Sequence, residues 1–135
     1  MKSLAGKTAF ITGGTSGIGF GMASVFASAG MNIVITDIRQ DALDRAGNEL
    51  REITENVMTV NVDSTDASAL NDAAQELSRR FGPLHVLCNN AGVPGGGKVL
   101  ETPIEGWRNT HEVNFWGPLN GVNVFLPGML EHGEE

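Results

Sequence analysis

A chain of 135 residues is long enough for one hydrophobic core and too short for two, so a single domain burying roughly two-thirds of its unfolded surface is expected. Its formal net charge of −7, from 16 acidic against 9 basic side chains, sets it against nucleic acid and anionic membranes, which carry the same sign. No apolar run approaches the roughly 18 residues of a membrane helix, the first 14 residues hold no leader-like apolar core, and the single cysteine excludes an intrachain disulfide or a cysteine zinc cluster. A soluble cytoplasmic protein is expected, with Cys88 a small buried hydrophobe.

Residues 7–12 (KTAFIT) read as a first strand, apolar enough to be covered on both faces. A glycine-rich turn follows, spaced Thr12-Gly13-x-x-x-Gly17-x-Gly19, and runs straight into a helix whose apolar stripe is Ile18, Met22, Val25, Phe26 and Ala29, with Gly30 as its stop. Residues 32–37 (NIVITD) form a second strand ending in a carboxylate. Leu43, Ala46, Leu50 and Ile53 mark a second helix, and residues 57–62 (VMTVNV) a third strand. Leu70, Ala73, Ala74, Leu77 and Phe81 give a third helix, with Asp66 as N-cap and Gly82-Pro83 ending it. Residues 84–89 (LHVLCN) form the fourth strand. The segment 93–102, with Gly95-Gly96-Gly97, reads as a surface connector or a substrate lid, and residues 103–131 as a long helix interrupted at Gly117-Pro118. Unbroken alternation of strand and helix predicts an α/β doubly wound parallel sheet with helices on both faces.

In such a sheet, ligands bind beyond the carboxyl ends of the strands where the strand order reverses. Gly13, Asp37, Asp63 and Asn89-Asn90 close the predicted strands. Glycines at 13, 14, 17 and 19 let backbone N–H groups approach an anion, and the helix beginning near Gly17 aims its free N–H groups at the same point. The spacing is two residues wider than the common dinucleotide fingerprint, and a glycine turn alone is equally consistent with no ligand. Asp37 lies 24 residues beyond Gly13, near the distance expected for a carboxylate that accepts from an adenosine ribose. A carboxylate there repels a 2′-phosphate, which favours NAD over NADP, although Arg39 could turn inward and soften that preference. Asp63 reads as an acceptor for the adenine amino group or as a plain helix-entry acid.

Four segments in order, Thr12-Gly13-Gly14-Thr15-Ser16-Gly17-Ile18-Gly19, Asp63-Ser64-Thr65-Asp66, Asn89-Asn90-Ala91-Gly92 and Asn114 in VNFWG, resemble the classical short-chain dehydrogenase/reductases. The resemblance covers essentially the whole chain but only the amino-terminal half of that family's Rossmann-like domain. It implies that Gly13, Thr15, Ser16, Gly17, Ile18 and Gly19 hold a pyrophosphate, that Asp37 holds the adenosine ribose, and that Asp63 and Ser64 flank adenine. Asn90, Ala91 and Gly92 would lie beside the cofactor and brace the sheet. Ser64 stands where the family more often has an aliphatic residue. The main-chain carbonyl of Asn114 would hold a water in the family's proton relay, and Pro118, four residues on, has no N–H to occupy that carbonyl in an α-helix.

The catalytic serine and Tyr-x-x-x-Lys of the family would follow the last residue of this chain, which contains no tyrosine. Moving a proton alongside a hydride needs such a group, and His85, His111 and His132 read as solvated or satisfied side chains rather than bases. No metal-ligand spacing occurs. The expectation is the cofactor-binding part of an oxidoreductase acting between secondary alcohols and ketones, itself without turnover; the alternative is a non-catalytic dinucleotide-binding or subunit-interaction module. With the chain stopping at Glu135, Val86, Leu87, Val122, Phe125 and Leu126 are expected near bare apolar surface, and the resemblance implies a homo-oligomer for a complete parent.

Overall fold

The structure, a computed structural model, describes residues 3–95 and 97–133; Gly96 of the glycine run lies outside the described residues. Four parallel strands, β1 (Thr8–Thr12), β2 (Asn32–Asp37), β3 (Val57–Asn61) and β4 (Val86–Cys88), lie in the order β3-β2-β1-β4. Register runs from Thr8 opposite Asn32 to Thr12 opposite Thr36, and Phe10 faces Leu87 on the other side. The chain therefore winds outward from β1 through β2 to β3, then returns to the far side of β1. That reversal opens a crevice at the carboxyl ends of β1 and β4, and the fold is Rossmann-like as the alternation predicted.

Period-two alternation along the strands divides the core into two layers. Ala9, Ile11, Ile33 and Ile35 face helices α1 (Gly17–Ser28) and α2 (Gln40–Arg51), where Ala23, Ala27, Leu43, Ala46 and Leu50 are buried. Phe10, Val34 and Met58 face α3 (Ala67–Phe81) and the carboxyl half of the last helix, meeting Leu70, Ala73, Leu77 and Phe125. Helices thus cover both faces, as expected. Asp66 caps α3, its carboxylate accepting from Ser68 N at 2.9 Å and Ala69 N at 3.0 Å, and Gly82 at φ 77° ends it.

Three expectations are corrected. The buried face of α1 is the small-residue stripe Gly19, Ala23 and Ala27, while the predicted stripe members Ile18 and Val25 are 78% and 67% exposed. The reason is close approach: a helix that begins in the turn after β1 lies too near the sheet for large side chains. Phe125, expected at bare surface, is 5% exposed, with its ring centroid 4.4 Å from that of Phe10. Val122 and Leu126, on either side of it, are exposed as expected. The long helix is continuous from α4 (Ile104–His111) through a π-helical turn (Glu112–Trp116) into α5 (Gly117–His132), so the interruption precedes Gly117-Pro118 instead of falling on it. Gly117 N–H reaches back five residues to the Glu112 carbonyl, and Pro118 occupies the first turn of α5, where a missing N–H costs least. Cys88 is half-buried in β4, and that burial pushes its thiol pKa up. Among the described residues no helix is long and apolar enough to cross a membrane, and no cluster of metal-ligating side chains occurs.

Candidate functional site

At the crevice, β1 runs into the glycine turn with Gly13 at φ 63° and Gly17 at φ 54°, a region open to glycine without strain. The turn is packed to contact. A Cβ on Gly19 would stand 2.3 Å from the Gly13 carbonyl oxygen, and one on Gly14 would stand 2.6 Å from Ile35 Cγ2. Gly14 N–H also bonds the Thr36 carbonyl at 3.1 Å, tying the turn to β2. Ser16 is the N-cap of α1 but makes no side-chain cap, and no acidic residue stands in the first turn. The N–H groups of Gly17, Ile18 and Gly19 and the positive end of the helix dipole therefore have neither a capping side chain nor a countercharge.

From the β4 side, the loop after Cys88 locks onto the same turn. The Asn90 amide donates to the carbonyls of Thr12 at 3.0 Å and Gly13 at 3.1 Å. Thr12 Oγ1 accepts from Asn90 N at 3.0 Å and Ala91 N at 2.9 Å, stitching β1 to β4 at their carboxyl ends. The Asn114 side chain grips the next residues, donating to the Val93 carbonyl and accepting from its N–H, both at 2.8 Å. Gly92 lies under this clamp, where a Cβ would come 3.2 Å from Asn114 Oδ1. The Asn114 main-chain carbonyl is a separate group, and its α-helical donor would be residue 118, a proline.

Asp37 ends β2 beside the turn. Its Oδ2 accepts from Thr15 Oγ1 and, at 3.3 Å, from Arg39 Nη2, while Oδ1 accepts from Arg39 N at 3.1 Å and Nε at 3.2 Å. Partial burial pushes the carboxyl pKa up, but the hydrogen bonds from Arg39 and Thr15, with the guanidinium charge, outweigh it and hold Asp37 below the usual carboxylate range. Arg39 has therefore turned inward onto Asp37, while remaining exposed along much of its length. Asp63 receives Thr65 N at 2.9 Å and Thr65 Oγ1 at 2.8 Å. Ser64 is buried against Gly117, whose Cβ position is 2.8 Å from Ser64 Oγ, and the Asn120 amide bonds the Ser64 carbonyl at 3.2 Å, so the start of α5 docks on this segment.

Together these elements enclose a cleft of about 500 Å³ lined by Gly13, Ser16, Asp37, Asp63, Ser64, Asn90, Ala91 and Gly92 among others. Thr15 stands behind it, bonded to Asp37; Ile18 points its side chain to solvent, leaving only its backbone for the cradle. Of the further lining residues, Thr36, Ile38, Val62, Asn109 and Val113 were not legible in the sequence as site residues, and Val93 only as the start of a connector or lid. Ile38 and Val62 had a signal, since each adjoins a strand-end carboxylate. Asn109 and Val113 had none, because the docking angle of α4 decides which of its faces meets the cleft.

The comparisons with known proteins agree with this geometry. A family model described as short chain dehydrogenase matches residues 7–134. The chain is 38% identical over 129 residues to 1-deoxy-11-beta-hydroxypentalenate dehydrogenase of Streptomyces arenae, covering 94% of this chain and 46% of that protein. It superposes with TM-score 0.95 on a short chain dehydrogenase/reductase from Burkholderia phymatum in complex with NAD, at 37% identity, covering 99% of this chain and 48% of that one. It also superposes with TM-score 0.90 on L-sorbose reductase from Gluconobacter frateurii complexed with NADPH and L-sorbose, at 30% identity, covering 97% of this chain and 50% of that one. The chain thus spans about half the length of the relatives it matches. Matched from β1 to the end of α5, with an open cleft at its strand ends, the chain belongs to the short-chain dehydrogenase family and corresponds to the cofactor-binding region of that family.

Proposed function

We propose that this chain is a single NAD-binding domain, the cofactor-holding portion of an oxidoreductase that passes hydride between a secondary alcohol or ketone and nicotinamide. The observation that carries the reading is the packed glycine turn facing an uncapped helix start, in the same cleft as the Asp37 carboxylate. Gly19 leaves no room for a Cβ, Gly13 combines a positive φ with a Cβ position only 3.0 Å from Ala91 Cα, and the N–H groups around Ser16, Gly17, Ile18 and Gly19 suit a diphosphate. Asp37, held in place by Thr15 and Arg39, takes the adenosine ribose hydroxyls, and Asp63 with Ser64 flanks adenine. Asn90, Ala91 and Gly92 floor the cleft toward the nicotinamide, which when bound supplies the hydride chemistry. Asn114 fixes the following loop through its side chain and offers its main-chain carbonyl to a proton-relay water.

No tyrosine is present to move a proton, so the chain as given binds cofactor without turning over. The parent takes a small alcohol or ketone, and exposed Trp116, Leu119, Val122 and Leu126 support assembly into a homo-oligomer. Composition and the single cysteine favour a cytoplasmic location.

NAD is preferred over NADP because a carboxylate held in its charged form stands where a 2′-phosphate would have to fit. Titration of the purified chain should give an affinity for NAD at least about tenfold above that for NADP, corresponding to ~1.4 kcal/mol. The Asp37→Ala variant should bring the two to near parity; an unchanged preference would remove the ribose assignment.

A further inference from the structure

The cleft has two walls of different origin. One is the row of strand ends and their loops, where the acids and the amide already have partners: Asp37 holds Thr15 and Arg39, Asn90 holds the Thr12 and Gly13 carbonyls, and Asp63 holds Thr65, while the Ser16 hydroxyl makes no cap. The other wall is the helix across from them, which contributes Asn109 from α4 and Val113 from the π turn. These two are four residues apart, one above the other on a single helical face. Asn109 is the one polar side chain on that wall, and among the described residues no hydrogen bond engages its exposed amide. A ligand seated on the strand ends would thus meet a single uncommitted amide from the opposite side, able both to donate to a phosphate oxygen and to accept from a sugar hydroxyl.

We infer that Asn109 is a binding residue of this cleft that contacts the adenosine diphosphate half of a bound dinucleotide. The inference rests on the dinucleotide reading above and adds a residue to it. The adenosine half is favoured because Asn109 shares the cleft with Asp37 and Asp63, the two acids assigned to ribose and adenine. A neutral amide also suits this position, since an acid would add a third negative charge facing a diphosphate. The helix it stands on is held at its far end by the Asn114 clamp on Val93, so the amide is presented by a fixed element rather than by a loose loop.

The test is calorimetric titration of the wild-type chain and the Asn109→Ala and Asn123→Ala variants with NAD and with ADP-ribose. Asn123 is exposed on α5 and absent from the cleft lining, so it serves as the control. Asn109→Ala should weaken both ligands by about five- to tenfold, with an unchanged melting curve because the side chain is exposed, while Asn123→Ala should bind like wild type. Equal binding by wild type and Asn109→Ala would overturn the inference and leave the dinucleotide reading standing. Loss for NAD alone would overturn the assignment to the adenosine half. Failure of the wild-type chain to bind either ligand would overturn the dinucleotide reading, and this inference with it.

Discussion

Asp37 receives hydrogen bonds from a threonine on the glycine turn, behind the cleft, and from an arginine two residues along its own chain that lines it, so its charge is held from both sides. Its folded pKa is depressed, so its contribution to stability is fully present above the unfolded carboxylate value and is lost as pH falls through the lower folded one. Urea titrations at neutral pH and at successively lower pH should therefore show wild type and Asp37→Asn separated at neutral pH and converging below about pH 4. A gap that stays constant into acid would mean that the carboxylate is not stabilised as described. Gly19 is governed by space rather than charge. Its Cβ position falls 2.3 Å from the Gly13 carbonyl and 2.5 Å from Asn90 Nδ2, so Gly19→Ala must push apart the turn and the loop that floors the cleft. Such overpacking should cost about 3 kcal/mol in chemical denaturation and abolish NAD binding; normal binding by a folded variant would show that the turn yields easily.

At the scale of elements, strands and amphipathic helices were legible because their patterns repeat. Leu43, Ala46 and Leu50 in α2 and Leu70, Ala73 and Leu77 in α3 are buried where their spacing placed them, and the Asp66 cap carries its bonds. Helix α1 was misread because its apolar residues run nearly all the way round, leaving periodicity little to select. Size, rather than polarity, picked its buried face. Ala23→Leu should therefore cost about 1–3 kcal/mol by overpacking against the sheet, whereas Val25→Gln should stay within about 0.5 kcal/mol of wild type. Thermal melts of the two variants check this, and the reverse order would restore the periodic reading. The π turn was legible only as a break near Pro118: a proline announces that a carbonyl loses its donor, but where the helix absorbs the extra residue depends on what the helix packs against.

For the whole molecule, the surface between α3 and α5 is what joins the last helix to the sheet. Phe125 lies on Phe10 in the centre of that layer, so Phe125→Ala should cost about 3–5 kcal/mol in urea denaturation. A loss below about 1 kcal/mol would mean that α5 is held chiefly by its contacts to Ser64 and Asn89. By itself the sequence determined the order of strands and helices, the glycine turn and the strand-end residues Asp37, Asp63 and Asn90. These are local properties: side-chain period, the backbone freedom of glycine and the chemistry of a strand terminus are all written in a few consecutive residues. Only the tertiary structure decided that α1 faces the sheet with Gly19, Ala23 and Ala27, that Phe125 is interior, and that Asn109 joins the cleft from the opposite wall. Each of these depends on the distance and angle at which one element docks on another, which packing between residues far apart in the chain sets.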